Sequence, residues 1–322
     1  MSGNTTDVCV ENSQRFPVVV IEAVVVFGVS IATVVFNSSL LYLLLHKNIP
    51  TTPEAVIFGS MAVSDLLVGI CSPFILFYKY EIFKKKMTFF IIFANIACTA
   101  SVLHLLLVSV EKYIVLFFPL RYQRLITKRN VAICLAAAWV LSAFSSIAMG
   151  MTFTSCTSLD LLTRHAVIGA CIITFSVLAV MSYIYIAVFL LSRRHRRQIA
   201  ANRLQQQPTT TTTTTTAAPT LRSLRAKMKT VFFSVIFCAC VFLLWLPALV
   251  QVLYSSYTGV PADVTVAVFL RELFFSNSLV NPILYGLWHH DVRREVKRRL
   301  RQLCCKHSSC TTATPSHIHT RW

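Results

Sequence analysis

Residues 53–78 read PEAVIFGSMAVSDLLVGICSPFILFY, an apolar run with a carboxylate, Asp65, at its middle. At 1.5 Å rise per residue the run can cross about 30 Å of hydrocarbon as a helix, and it is far too long for a strand. A charged group near mid-bilayer costs at least about 2.5–3.5 kcal/mol on insertion scales, so Asp65 needs partners from other segments. On either side of this run lie six more of the same kind. They extend from Pro17 to Leu45, Met87 to Leu116, Val131 to Met151, Ala166 to Leu191, Thr230 to Tyr254 and Ala262 to Leu287. The fold class expected is all-α, a seven-transmembrane helix bundle, with residues 17–287 as the membrane domain, 1–16 outside and 288–322 inside.

Composition agrees. With 56% hydrophobic and 13% charged residues among 322, neither a soluble globule nor a disordered chain fits. The formal charge of +18 comes from short basic clusters between the apolar runs, which read as topology determinants, and no nucleic acid partner is expected. With the N-terminus outside, 22 Lys and Arg residues fall on inner segments and six on outer ones, which directs the tail inward. The Lys84 to Lys86 run goes against this trend and is read as a solvated outer loop. A multi-pass plasma-membrane protein follows, with no cleavable signal peptide, because the first dozen residues are polar. Asn4-Thr5-Thr6 is a glycosylation sequon on the outer side, whereas Asn37-Ser38-Ser39 matches the pattern inside the first span and should be unmodified.

Residues 205–220 hold three Gln and eight consecutive Thr between basic flanks, a composition that cannot bury a core. The flanks should continue the fifth and sixth helices into the cytosol. Of the eleven cysteines, only Cys9 and Cys156 fall in outer, oxidising segments, so a bridge, if one forms, joins those two. Cys304 and Cys305 follow a basic amphipathic stretch, Asp291 to Leu303. Palmitoylation there would pin a short eighth helix to the inner-leaflet lipids, the alternative being reduced cytosolic thiols.

Other polar residues fall within the spans. Asn37 in the first, Ser101 in the third and Asn277, Ser278 and Asn281 in the seventh could join Asp65 in one mid-membrane cluster. Such a cluster could hold water or a small cation, or stand as a hydrogen-bond network alone. Pro247 and Pro282 remove backbone hydrogen bonds and kink their helices.

These residues, on these spans, resemble the rhodopsin-like (class A) G-protein-coupled receptors. The matching positions are Asn37, Asp65, Glu111-Lys112-Tyr113, Pro119-Leu120-Arg121-Tyr122, Trp139, Tyr185, Trp245-Leu246-Pro247 and Asn281-Pro282-Ile283-Leu284-Tyr285. The resemblance implies a sodium site at Asp65, Ser101, Asn277, Ser278 and Asn281, and no other cofactor. It also implies a pocket-floor switch at Trp245, rearranging tyrosines at Tyr185 and Tyr285, and a face toward a heterotrimeric G protein at Glu111 and Lys112. The family usually carries Arg where this chain has Lys112, which lacks a planar fork of donors. Lys227 stands where the sixth helix often has an acid, so weak latching and constitutive signalling are expected. Met87 in place of a common outer Cys, the missing fifth-span Pro near Val177 and the short second outer loop resemble the melanocortin, cannabinoid and lysophospholipid branch.

The implied activity is binding of an extracellular small molecule and activation of a G protein, with no catalysis. Ala94 stands where amine receptors have Asp, and the seventh span has no Lys for a retinal Schiff base. The Phe89 to Ala94 stretch suggests apolar walls, so Phe90, Ala94, Cys98, Trp245 and Arg271 are the candidate ligand contacts. Arg271 could receive an acidic head group, or instead snorkel or neutralise a nearby acid; Glu272, about 100° away around the helix, is expected to be a poor direct partner. His104 is expected to be a buried hydrogen-bonding residue. A chemosensory role on the same fold is an alternative. A transporter is a more distant one, since neither an inverted repeat nor a charge-lined path is visible, and no metal or nucleophile motif suggests an enzyme.

Overall fold

The computed structural model describes residues 5–46, 52–79, 84–154, 160–205, 217–260 and 263–308. Ten helices follow in order among them. They are α1 (Thr5–Leu45), α2 (Pro53–Lys79), α3 (Lys84–Phe117), α4 (Tyr122–Leu125), α5 (Lys128–Thr154), α6 (Asp160–Gln205), α7 (Ala217–Thr258), α8 (Val264–Phe275), α9 (Asn277–Trp288) and α10 (His290–Ser308). No strand occurs among the described residues.

Six of these helices contain stretches long and apolar enough to cross a bilayer: Val19–Leu45, Pro53–Leu76, Phe89–Phe117, Lys128–Ile147, Cys171–Leu191 and Ala239–Thr258. The seventh expected span is not one helix. It breaks at Ser276, which closes α8 and opens α9. The Ser276 hydroxyl donates to the Glu272 carbonyl at 2.7 Å. Asp263 caps the start of α8, accepting from the Thr265 and Val266 amides at 2.9 and 3.3 Å. Further along, Pro282 has no N–H for the carbonyl of Ser278, and Asn37 Nδ2 donates to that carbonyl at 2.9 Å. A sequence-encoded defect in one helix thus becomes a polar tie to another.

Two other expectations change. Lys84 to Lys86, read as a loop, opens α3, and Ala217 to Thr220, read as part of the polar tract, is helical. In both places a helix driven by a long apolar run extends past the hydrocarbon edge, because backbone bonding continues at little cost once the helix is nucleated. The remaining tract, 206–216, lies outside the described residues.

The core runs down the bundle axis through Leu40, Phe58, Met61, Leu105, Leu178, Met181, Phe237 and Tyr285. The opposite faces stay apolar yet exposed, as at Val24, Ile31, Leu141, Phe144, Ile186 and Leu243. Water would not tolerate that surface; lipid chains would. At Gly69 a Cβ would lie 3.0 Å from Val34 Cγ2 and 3.2 Å from the Ser30 carbonyl, so the missing side chain is what lets α1 and α2 close together. Beside it the Ser30 and Ser72 hydroxyls pair at 2.6 Å. α10 folds under the bundle, with Val292 buried and the Arg299 guanidinium 4.7 Å above the Tyr42 ring.

Candidate functional site

At the middle of the bundle Asp65 is completely buried. Ser101 Oγ donates to its Oδ1 at 2.8 Å and Asn281 Nδ2 to its Oδ2 at 2.9 Å, while the Ser278 hydroxyl adds a further hydrogen bond. Asn37 joins through the Ser278 carbonyl. The expected cluster therefore gathers from α1, α2, α3 and α9. The side-chain oxygens of Asn37, Asn277 and Asn281 are buried beside it without a protein hydrogen-bond partner. A second network lies between α2, α3 and α5. His104 Nε2 pairs with Ser60 Oγ at 2.8 Å, its Nδ1 pairs with the Ala100 carbonyl, and Trp139 Nε1 donates to Ser60 at 3.1 Å. His104 is thus fully occupied by hydrogen bonding.

Outside the cluster a cavity of about 650 Å³ opens between α3, α6, α7 and α8. Trp245 and Phe274 meet at 4.3 Å between ring centroids on its lining. Val177, Leu249 and Val102 add apolar wall, while Asn95, Thr99 and Gln251 supply polar groups. Cys98, Trp245 and Arg271, expected as contacts, line it. Phe90 and Ala94 are not among the lining residues. Phe90 instead stacks on Phe74 of α2 at 3.9 Å, and Ala94 is buried. The rotation of α3 presents Asn95 and Thr99, four residues apart, to the cavity, so its α3 wall is more polar than the sequence suggested.

At the rim, Arg271 takes the acid-neutralising alternative, with two acids as its partners. Its Nη2 meets Glu22 Oε1 of α1 at 2.8 Å and its Nε meets Glu272 Oε1 at 3.0 Å. Glu272 is a direct partner despite the 100° offset, because three flexible methylenes let the guanidinium turn back over its own helix and an unpaired buried carboxylate would cost more than that bend. Glu22 was missed in sequence. The signal was there: an acid inside an apolar run demands the same explanation as Asp65.

At the cytoplasmic end, Lys112 Nζ lies 2.6 Å from Glu54 Oε1 and 3.0 Å from Glu111 Oε2. Tyr122 donates to Glu111 Oε1 at 3.0 Å. Burial, reinforced by that carboxylate, pushes the Tyr122 phenol above its ordinary range, so it stays a neutral donor. Tyr113 stacks on Phe117 at 4.3 Å. Tyr185 accepts from Ser109 Oγ at 2.8 Å, and Tyr285 stacks on Phe58 at 3.9 Å. Pro247 and Pro282 sit within α7 and α9 as expected. Asn4 and Cys156 lie outside the described residues, as do the side chains of Cys9, Lys227, Cys304 and Cys305.

The rhodopsin-family model of 7 transmembrane receptors matches residues 36–285. The histamine H2 receptor of Cavia porcellus is 28% identical over 274 residues, covering 78% of this chain and 70% of that protein. Melanocortin receptor 5 of Rattus norvegicus is 25% identical over 288 residues, with 84% and 79% covered. Cannabinoid receptor 2 of Rattus norvegicus is 25% identical over 269 residues, with 80% and 71% covered. With the match spanning every transmembrane signature from Asn37 to Tyr285, the chain belongs to the rhodopsin family of seven-transmembrane receptors.

Proposed function

We propose that this receptor sits in the plasma membrane with its N-terminus outside, binds a small extracellular molecule in the cavity above Trp245, and activates a heterotrimeric G protein. The observation that carries this reading is the cavity itself. Its volume suits a drug-sized ligand, its base is aromatic, and it lies over a buried polar cluster that ties four helices together. A ligand pressing on Trp245 and Phe274 would shift the balance between two packings of α7 and α9, whose Pro247 and Pro282 each leave a backbone carbonyl without its helical donor. No catalysis is required.

The related proteins are named for histamine, melanocortin and cannabinoid, so kinship does not select the ligand. The cavity favours an uncharged molecule with an apolar body and one or two hydrogen-bonding groups for Asn95, Thr99 and Gln251. Ala94 offers no counter-ion to an amine. Arg271 already faces two carboxylates, so an acidic head group, the second reading, would have to displace one of them. A hormone-like or a chemosensory ligand fits equally.

The Asp65 cluster also suits a sodium ion. Hard cations take oxygen ligands, and Asp65, Ser101 and the unpartnered Asn277 and Asn281 side-chain oxygens would supply them. Such an ion would neutralise the buried carboxylate.

A panel of fatty acids, lipid amides, nucleosides and peptides, read through several G-protein reporters, tests the proposal with Asp65→Asn and Arg271→Ala in parallel. Activation by a neutral lipid amide that survives Arg271→Ala supports it. Activation confined to acids and lost in Arg271→Ala favours the second reading.

A further inference from the structure

Lys112 is an unusual cation to find buried at the end of a span that should meet a partner protein. It is only 7% exposed, and it is held from two directions. Glu111 comes from the same helix and is itself fixed by the Tyr122 hydroxyl at 3.0 Å. The Lys112–Glu111 contact is an ion pair at 3.0 Å in which Glu111 Oε2 makes no aligned hydrogen bond. Glu54 comes from α2 and makes the shorter contact, 2.6 Å.

Glu54 is well placed for that contact. Thr52 accepts from the Ala55 amide through its Oγ1 at 3.1 Å, which fixes the first turn of α2. Glu54 lies in that turn, where the partial positive charge of the helix N-terminus steadies a carboxylate. An ammonium drawn between Glu54 and Glu111 cannot also reach outward. Its four-carbon stem is long enough to do so once released.

We propose that Glu54 is the resting-state restraint on the cytoplasmic switch, its carboxylate holding Lys112 against α2 and off the surface that a G protein would meet. This rests on the G-protein coupling proposed above. The restraint lies between the second and third spans, and activation requires the Lys112 ammonium to leave Glu54. Two carboxylates serve one cation, so removing Glu54 leaves Lys112 paired with Glu111 and does not orphan a buried charge. Glu54→Gln should therefore fold.

The experiment compares wild type, Glu54→Gln, Glu54→Asp and the double variant Glu54→Gln/Lys112→Gln in the full-length receptor at matched surface expression. Ligand-free signalling is read with a panel of Gα reporters. Glu54→Gln should raise the basal signal several-fold, Glu54→Asp should stay close to wild type, and the double variant should lose the increase because no ammonium is left to release. A Glu54→Gln signal equal to wild type, or an increase that persists in the double variant, overturns the proposal. Lysine-acylation footprinting of the purified receptor provides a reading independent of any G protein. Lys112 should be protected in wild type and labelled several-fold faster in Glu54→Gln; equal protection also overturns the restraint. Faster labelling with no signal from any reporter supports the restraint and overturns the coupling instead.

Discussion

Arg271→Gln separates a structural role for the outer ion cluster from a ligand-binding one. The guanidinium faces Glu22 and Glu272, whose side chains are 1% and 6% exposed. Removing one partner of a buried ion pair costs about 3–5 kcal/mol, since the remaining charge is stranded. Here two acids would be left facing each other, which argues for the upper end. A Gln amide can still donate to one of them, which brings the net loss to about 3 kcal/mol. At roughly 2–4 °C per kcal/mol for a large chain, the apparent Tm of the detergent-purified receptor should fall by about 6–12 °C. Fluorescence-detected size-exclusion after a heating series measures it without any ligand. Glu22→Gln should cost about half as much, because Arg271 retains Glu272 and no charge is stranded. The triple change Glu22→Gln/Arg271→Gln/Glu272→Gln should recover most of the loss, as it removes all three charges together. An Arg271→Gln receptor that melts within about 2 °C of wild type, or a triple variant no better than the single, would show that the pairing of these groups does not support the fold.

Three further outcomes are expected. Gly69→Ala forces a methyl group to within 3.0 Å of Val34 and 3.2 Å of the Ser30 carbonyl, and should lower stability by about 1–3 kcal/mol in the same assay; unchanged melting would mean that α1 and α2 are not this close. Trp139→Phe removes the 3.1 Å donor to Ser60 and should cost about 1 kcal/mol, with little further loss in Trp139→Phe/Ser60→Ala. Replacing choline chloride with sodium chloride at equal ionic strength should stabilise wild type and leave Asp65→Asn unmoved; an equal response in both would place the sodium effect elsewhere.

Most of the architecture was legible in the chain because hydrophobicity and helix formation are local sums. A window of about 20 residues decides whether a segment can leave water, whatever the rest of the protein does. Pro53 to Tyr78 could be read as a span by itself, and Asp65 within it had to be partnered because no lipid could solvate it. The partners drawn from sequence, Ser101, Asn281 and Asn37, came together because each is a polar residue in an otherwise apolar helix, where only another polar group can meet it. The break at Ser276 was not legible, since Ser276, Asn277 and Ser278 read equally well as polar residues inside one continuous span.

Side-chain pairing across helices was decided by tertiary structure alone. Glu22 and Arg271 are separated by 249 positions, and nothing local to either says that α1 and α8 lie side by side there. Phe90 could have faced the cavity or α2 with the same hydropathy; the rotation of α3 stacked it on Phe74 and left Asn95 and Thr99 to the cavity. The sequence by itself determined which segments leave water and which buried groups need a partner. How each helix turns about its axis, and therefore which partner each group finds, came from the close approach at Gly69 and the packing of neighbouring helices, which no single window of residues contains.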